Sequence, residues 1–438
     1  MLQVNNSTMS IPLDRLYHYI ENTAQMVRQG SVLIYRFYPH GSKNPEHLGY
    51  LHPYSWERFA TEHSIYCNDQ EPLDYNFYYN SLKPYMSNPW SRLCESIGLD
   101  PSLWAPQNLY HSQSKSYKKS IILHSEQRSR EVARYRARSV VTAYYWSHAI
   151  IARDWFRYAE HIRPDKNVQQ PFLAYSRAWA GTREYRLKFA DLLVDYNLVP
   201  SCKTSVGWSD EGVYYRDHEF TNPTLRPKHH LEDYYSNNLT PSTYSADFDI
   251  DDYNSTDIEV VLETLFDDGR LHLTEKSLRP IALGQPFILA STHGSLDYLR
   301  RYGFKTFSDI WDEGYDAIED PEQRLIAIVK LMKTISKWTA EERLVKMEQA
   351  NYIAQYNSRR FFSEDFIIDI ETELADNLDQ AFKQADSKSN DHSAEWIELW
   401  DAFAANEQIV KFLKSNTDTL YPTWAQLQRA RNIILQRN

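Results

Sequence analysis

The sequence predicts a parallel α/β protein of two domains with a helical C-terminal region, on three observations. Residues 258–316 read in the order strand, helix, strand, helix, the unit from which parallel sheets are built. The chain is 438 residues long, enough for two domains that each bury a core of their own. Its hydrophobic share of 42% is ordinary for a folded protein, and residues 341–438 carry mainly helical patterns.

The elements follow in order. Residues 13–27 form an amphipathic helix, and 31–38 (SVLIYRFY) a strand that ends at the turn Pro39, His40, Gly41, Ser42. A second strand, 64–67, runs into Asn68, Asp69, Gln70, Glu71 and Pro72; a third, 120–124, exits through His124, Ser125 and Glu126. A basic helix is predicted over 128–138. Another follows over 144–161, with Ile150, Ile151, Trp155 and Tyr158 on one face and Arg153 and Asp154 as an interdomain ion pair. The polar, proline-bearing stretch 163–167 divides a first domain, 1–163, from a second, 164–340. The second opens with a strand at 171–175 and a loop-to-helix segment at 176–193, and carries an irregular acidic and aromatic insertion over 210–256. Helices at 321–335 and 341–356 lead into the region 341–438, with a polar break at 387–392.

Residues 258–316 carry the most chemistry. After a β-branched run the chain turns through Asp267, Asp268 and Gly269. A helix starts at Thr274, with Glu275 and Lys276 in its first turn, Leu278, Ile281 and Ala282 at helical spacing, Pro280 as a bend and Gly284 as its C-terminal stop. A strand, 286–290, and a small-residue turn (Ser291, Thr292, His293, Gly294) come next. Open parallel sheets bind ligands beyond the carboxyl ends of their strands, which is where Thr274, Glu275 and Lys276 fall. A carboxylate beside an ammonium at a helix N-terminus suits a sugar nucleotide: the carboxylate accepts from ribose hydroxyls, while the lysine and free backbone N–H groups meet the diphosphate. In the other reading Thr274 is a cap, Glu275 favours the helix dipole and Lys276 is solvated.

The run TEKSLRPIALGQPFILAS resembles the sugar-donor motif of GT-B glycosyltransferases, most closely the fucosyltransferase-like group, and the wider segment is similar to glycosyltransferase-like proteins of tailed phages. The resemblance implies two Rossmann-like domains with a cleft between them, and C-terminal helices that partly pack back on the first domain. It implies that Glu275 contacts ribose and Lys276 the diphosphate. It also implies an arginine early in the helix of 176–193 that clamps the diphosphate, with Arg186 at the matching place and Arg183 one turn earlier as the rival. An acidic loop after a strand of the acceptor domain would carry the general base, here Glu71 or Asp69. A carboxylate there takes the proton of the attacking hydroxyl; in the alternative, Asp69 or Glu71 caps the next helix. His124 and Glu126 are possible acceptor contacts.

The activity so implied is transfer of a sugar, with inversion, from a UDP- or GDP-sugar to a hydroxyl. The net charge of −11 does not mark a nucleic-acid binder, yet 113–138 sets eight Lys and Arg against Glu126 and Glu131, a local balance of +6. Such a patch can face double-stranded DNA, with 5-hydroxymethylcytosine in phage DNA as acceptor, or be a solvated helix face. A cell-surface or phage glycan is the alternative acceptor, and a non-catalytic nucleotide-sugar or DNA-binding protein is the reading from another class. The aromatic share of 14% suits pockets that stack bases or sugar rings. Cys67, Cys94 and Cys202 form neither a disulfide framework nor a zinc signature, no metal ligand set is evident, and no apolar run is long enough to span a membrane. A soluble cytoplasmic protein is expected, in the host cytoplasm if phage-encoded.

Overall fold

The computed structural model describes residues 13–28, 32–35, 63–68, 119–129, 141–176, 178–210, 212–236, 246–267 and 269–387. The chain divides into two compact units: Trp146–Ile370 with Gln127–Ser129 make up most of the larger, and Asp14–Glu126, Arg130–Tyr145 and Glu371–Asn438 the smaller.

The smaller unit holds helix α1 (Leu13–Arg28) and four strands, β1 (Val32–Tyr35), β2 (His63–Asn68), β3 (Lys119–His124) and β4 (Val141–Tyr144). They pair in parallel in sequential order, β1-β2-β3-β4, with Ile34 opposite Ile65 and Leu123 opposite Ala143. Leu16, Ile20 and Ala24 of α1 are buried, one helical face as the 3.6-residue period requires.

The larger unit begins with α2 (Ser147–Trp155), then β5 (Gln170–Ala174), α3 (Tyr185–Asp195), β6 (Cys202–Thr204), a two-residue hairpin β7 (Ser209–Asp210) and β8 (Val213–Tyr214), and α4 (Ile250–Asn254). Strand β9 (Thr256–Leu262), α5 (Glu275–Leu283), β10 (Phe287–Ala290), α6 (Ser295–Arg301), α7 (Pro321–Ile335) and α8 (Ala340–Phe362) follow. Helix α9 (Glu364–Ser387) belongs to the larger unit up to Ile370 and to the smaller from Glu371. Within the smaller unit, Asn377 Nδ2 of α9 donates to the Tyr144 carbonyl at 2.6 Å, and Arg28 of α1 meets Asp386 at 2.7 Å.

The predicted helix over 144–161 is corrected. Tyr144 ends a strand, α2 starts only at Ser147, and a separate 3-10 turn covers Ala159–His161. Trp146 decides the break: its indole N–H donates to the Leu273 carbonyl at 2.8 Å and its ring packs edge-on against Tyr298. Arg153 is likewise no interdomain ion pair. Its guanidinium donates to the carbonyls of Phe361, Phe362 and Ser363, capping the end of α8, where the last carbonyls of a helix lack partners.

The four-stranded sheet of the larger unit is parallel in the order β10-β9-β5-β6, with Phe172 opposite both Cys202 and Ile258, and Val260 opposite Ile288. Every residue of β9 is buried, the mark of a parallel strand covered on both faces. The crossover β5-α3-β6 runs toward one edge and β9-α5-β10 toward the other. Right-handed crossovers in opposite directions put their helices on opposite faces. Accordingly α3 packs with α7, and α5 with α2 and α8. The chain thus reverses direction between β5 and β9, the topological switch beside which open α/β sheets form a binding crevice. In the insertion expected over 210–256, Tyr215, Leu231 and Tyr235 pack against Trp179, Leu187 and Ala190.

Candidate functional site

The segment between β9 and α5 is built around Glu263, the residue that follows the strand and is fully buried. One carboxylate oxygen accepts from the Thr274 N–H (2.9 Å), the Ser277 N–H (3.2 Å) and the Ser277 hydroxyl (2.6 Å). The other accepts from the Thr264 N–H (3.0 Å) and the Thr274 hydroxyl (2.8 Å). A carboxylate out of water needs such donors, and the unpaired N–H groups and positive dipole end of α5 supply them. Of the N–H groups expected to meet a diphosphate, Glu263 takes those of Thr274 and Ser277. Thr274 is the cap of α5, accepting from the Lys276 N–H at 3.3 Å, and Gly284 closes the helix in the left-handed conformation, φ +64°.

Glu275 and Lys276 do not face open solvent together. The Glu275 side chain is 1% exposed, with Oε2 at 2.9 Å from His148 Nδ1 on α2 and Oε1 at 2.9 Å from Lys276 Nζ. The His148 ring meets that of His272 edge-on, 4.9 Å between centroids. Lys276 keeps some exposure, and its ammonium also donates to Thr274 Oγ1 at 3.2 Å.

At the exit of β5, Arg186 is buried at the start of α3. Its guanidinium donates to the carbonyls of Ala178 (2.6 Å), Leu262 (2.6 Å) and Glu263 (3.2 Å), stapling the exits of β5 and β9. Tyr185 reinforces this seam, its hydroxyl donating to the Glu263 carbonyl at 2.6 Å. Arg186 therefore holds strand ends rather than offering an open fork. Arg183, half-buried, donates to the Ala180 carbonyl at 3.1 Å. The N–H groups of Trp179 and Ala180 both meet Asp210 Oδ2 at 2.7 Å.

At the exit of β10 the pattern recurs. The Asp316 carboxylate accepts from the N–H groups of Ser295 (3.0 Å) and Leu296 (3.1 Å); burial outweighs these bonds and raises the carboxyl from its usual 3.8 to about 6. Arg324 donates to the carbonyls of Ser291 and Phe266, joining the exits of β9 and β10, and burial lowers its guanidinium to about 10. His293 is held below the usual imidazole value by burial, then by Arg128 and Arg324. Arg128 donates to His293 Nε2 and to its carbonyl, both at 2.6 Å.

The remaining candidates belong to the smaller unit or lie outside the described residues. Glu71 and Asp69 lie outside the described residues, as do 113–118 and 130–138 of the basic patch. His124 and Glu126 are buried just where β3 ends, His124 Nδ1 at 3.0 Å from the Glu126 carbonyl oxygen. Among the described residues no cluster of His, Cys, Asp or Glu is arranged to hold a metal, and no helix is long and apolar enough to cross a membrane. The chain matches no family model, no curated protein and no solved structure.

The structure therefore brings Arg183, Arg186, Thr274, Glu275 and Lys276 onto the two segments that follow β5 and β9. Glu263, Asp210, His148 and Arg324 escaped the sequence reading. The one local signal among them is an acidic residue closing the β-branched run of β9.

Proposed function

We propose that the chain is a GT-B-type glycosyltransferase that takes a nucleotide sugar at the switch between β5 and β9 of its larger unit. The observation that carries this reading is the placement of the five candidate residues on the two segments flanking that switch. A crevice there is bordered by an ammonium, Lys276, and a guanidinium, Arg183, while Arg186 contributes charge from beneath by fixing the strand ends.

In the transfer step the acceptor oxygen bonds to the anomeric carbon as its proton passes to a carboxylate, Glu71 or Asp69. The bond from that carbon to the diphosphate oxygen breaks, and the diphosphate leaves with the electron pair. Cations beside the diphosphate stabilise the charge that develops on it. The acceptor in this proposal is a hydroxymethylated pyrimidine of DNA, supported by the +6 balance of 113–138.

Hydrolysis of UDP-, GDP- and TDP-sugars, with and without hydroxymethylcytosine DNA, tests the reading. One of them should turn over, and Lys276→Ala should weaken its use by about tenfold or more. Wild-type turnover in that variant removes Lys276 from the site, and inertness toward every sugar nucleotide removes the transferase reading. A non-catalytic binding protein is the second reading, favoured because Asp210 and Asp316 each occupy two backbone N–H groups at a strand exit, and Glu263 three.

A further inference from the structure

Two tethers from distant parts of the chain converge on one ammonium. From the strand side, Glu263 fixes Thr274 through both its N–H and its hydroxyl, and Thr274 Oγ1 stands 3.2 Å from Lys276 Nζ. From the helix side, His148 of α2 lies 2.9 Å from one oxygen of Glu275, whose other oxygen is 2.9 Å from the same Nζ. Glu275 and His148 are 1% and 0% exposed, whereas Lys276 is 14% exposed and reaches the surface. A lysine side chain held at one point loses much of its rotamer freedom. Here both acceptors are already in place, so a ligand meets an ammonium ordered in advance. Among the described residues these acceptors use two of its three protons and leave the third for a ligand oxygen.

We infer that Glu275 is a positioning residue, not a ribose contact: with Thr274 it aims Lys276 at an anionic diphosphate oxygen, and His148 holds Glu275 in that posture. The inference rests on the nucleotide-sugar reading above, and it assigns the specificity of this corner to the diphosphate rather than to the sugar of the nucleoside. The carboxylate is too deeply covered to reach a ribose without releasing Lys276 or His148, and releasing either breaks the arrangement that orders the cation.

The experiment measures binding of inorganic pyrophosphate, UDP, GDP and the free nucleosides uridine and guanosine by calorimetry. The proteins are wild type, Glu275→Gln, Lys276→Ala, His148→Ala and His148→Asn, the last keeping a nitrogen near the Nδ1 position. Glu275→Gln and His148→Ala are expected to weaken pyrophosphate and the nucleoside diphosphate by the same factor, about tenfold, and to leave nucleoside binding unchanged. His148→Asn should restore most of the loss, and adding Glu275→Gln to Lys276→Ala should cost nothing further. Weaker nucleoside binding by Glu275→Gln with pyrophosphate unaffected would make Glu275 a ribose contact and sink the inference while leaving the nucleotide-sugar reading intact. A wild-type protein that binds neither diphosphate nor pyrophosphate ends both. Near-isosteric Glu275→Gln and His148→Asn, with thermal melts alongside, separate loss of binding from loss of fold.

Discussion

At the scale of single residues, the larger unit is distinguished by charges spent on its own backbone. Glu263 is the clearest case, with five donors on one buried carboxylate. Glu263→Ala strands the N–H groups of Thr274 and Ser277 in the interior, and urea unfolding should show a loss of about 3–5 kcal/mol. Asp316 gives a pH-dependent counterpart. Its folded carboxyl, raised to about 6, binds a proton more tightly than the unfolded chain does at its usual 3.8. The folded state therefore gains from the proton, and the stability tied to Asp316 falls as pH rises from about 4 to about 6, by on the order of 3 kcal/mol. Unfolding of wild type against Asp316→Asn across that window should show wild type losing stability relative to the variant as pH rises; a constant difference would place the carboxyl at its ordinary value. Thr274 and Gly284 were legible in the sequence because a cap and a left-handed stop are local matters. Arg186 was legible as a position but not as a partner, since its fork is aimed by carbonyls of Leu262 and Glu263, far away in the chain.

At the scale of elements, α5 shows what local chemistry can specify. Its start, stop and apolar spacing all lie within the stretch 274–284, and it forms as Glu275–Leu283 between Thr274 and Gly284. Gly284 also lies close to α8: a Cβ there would stand 2.6 Å from Gln355 Nε2. Gly284→Ala should destabilise by about 1–2 kcal/mol for the left-handed backbone alone. Trimming the neighbour in Gly284→Ala/Gln355→Ala should return only the contact part, as denaturation midpoints will show; full recovery would mean the backbone carries no strain. The stretch 144–161 illustrates the opposite case. Its apolar residues satisfy a helical period, yet Val141–Tyr144 pairs with β3 and Trp146 anchors to Leu273 before α2 begins. Periodicity describes one segment at a time and carries no information about a strand partner or an indole's acceptor across the fold.

At the scale of the whole chain, alternating strands and helices foretold parallel sheets but not their order. Which side of β5 receives β9 is settled by pairing between segments separated by the insertion, and local pattern is silent on that choice. Yet the reversal it produces is what marks the place where open α/β sheets form a crevice, because the crossovers on either side of β5 and β9 run apart. A ligand lodged there must touch both exits at once, since Arg186 binds them together through Ala178, Leu262 and Glu263. Hydrogen exchange of the full chain with and without a nucleoside diphosphate reads this directly. Amides of residues 178–183 and 269–276 should slow together on binding, while those of 291–294 at the exit of β10 keep their rates. Slowing confined to 291–294 would move the crevice to the seam of β9 and β10 that Arg324 closes, where Arg128 and His293 rather than Lys276 would meet the ligand.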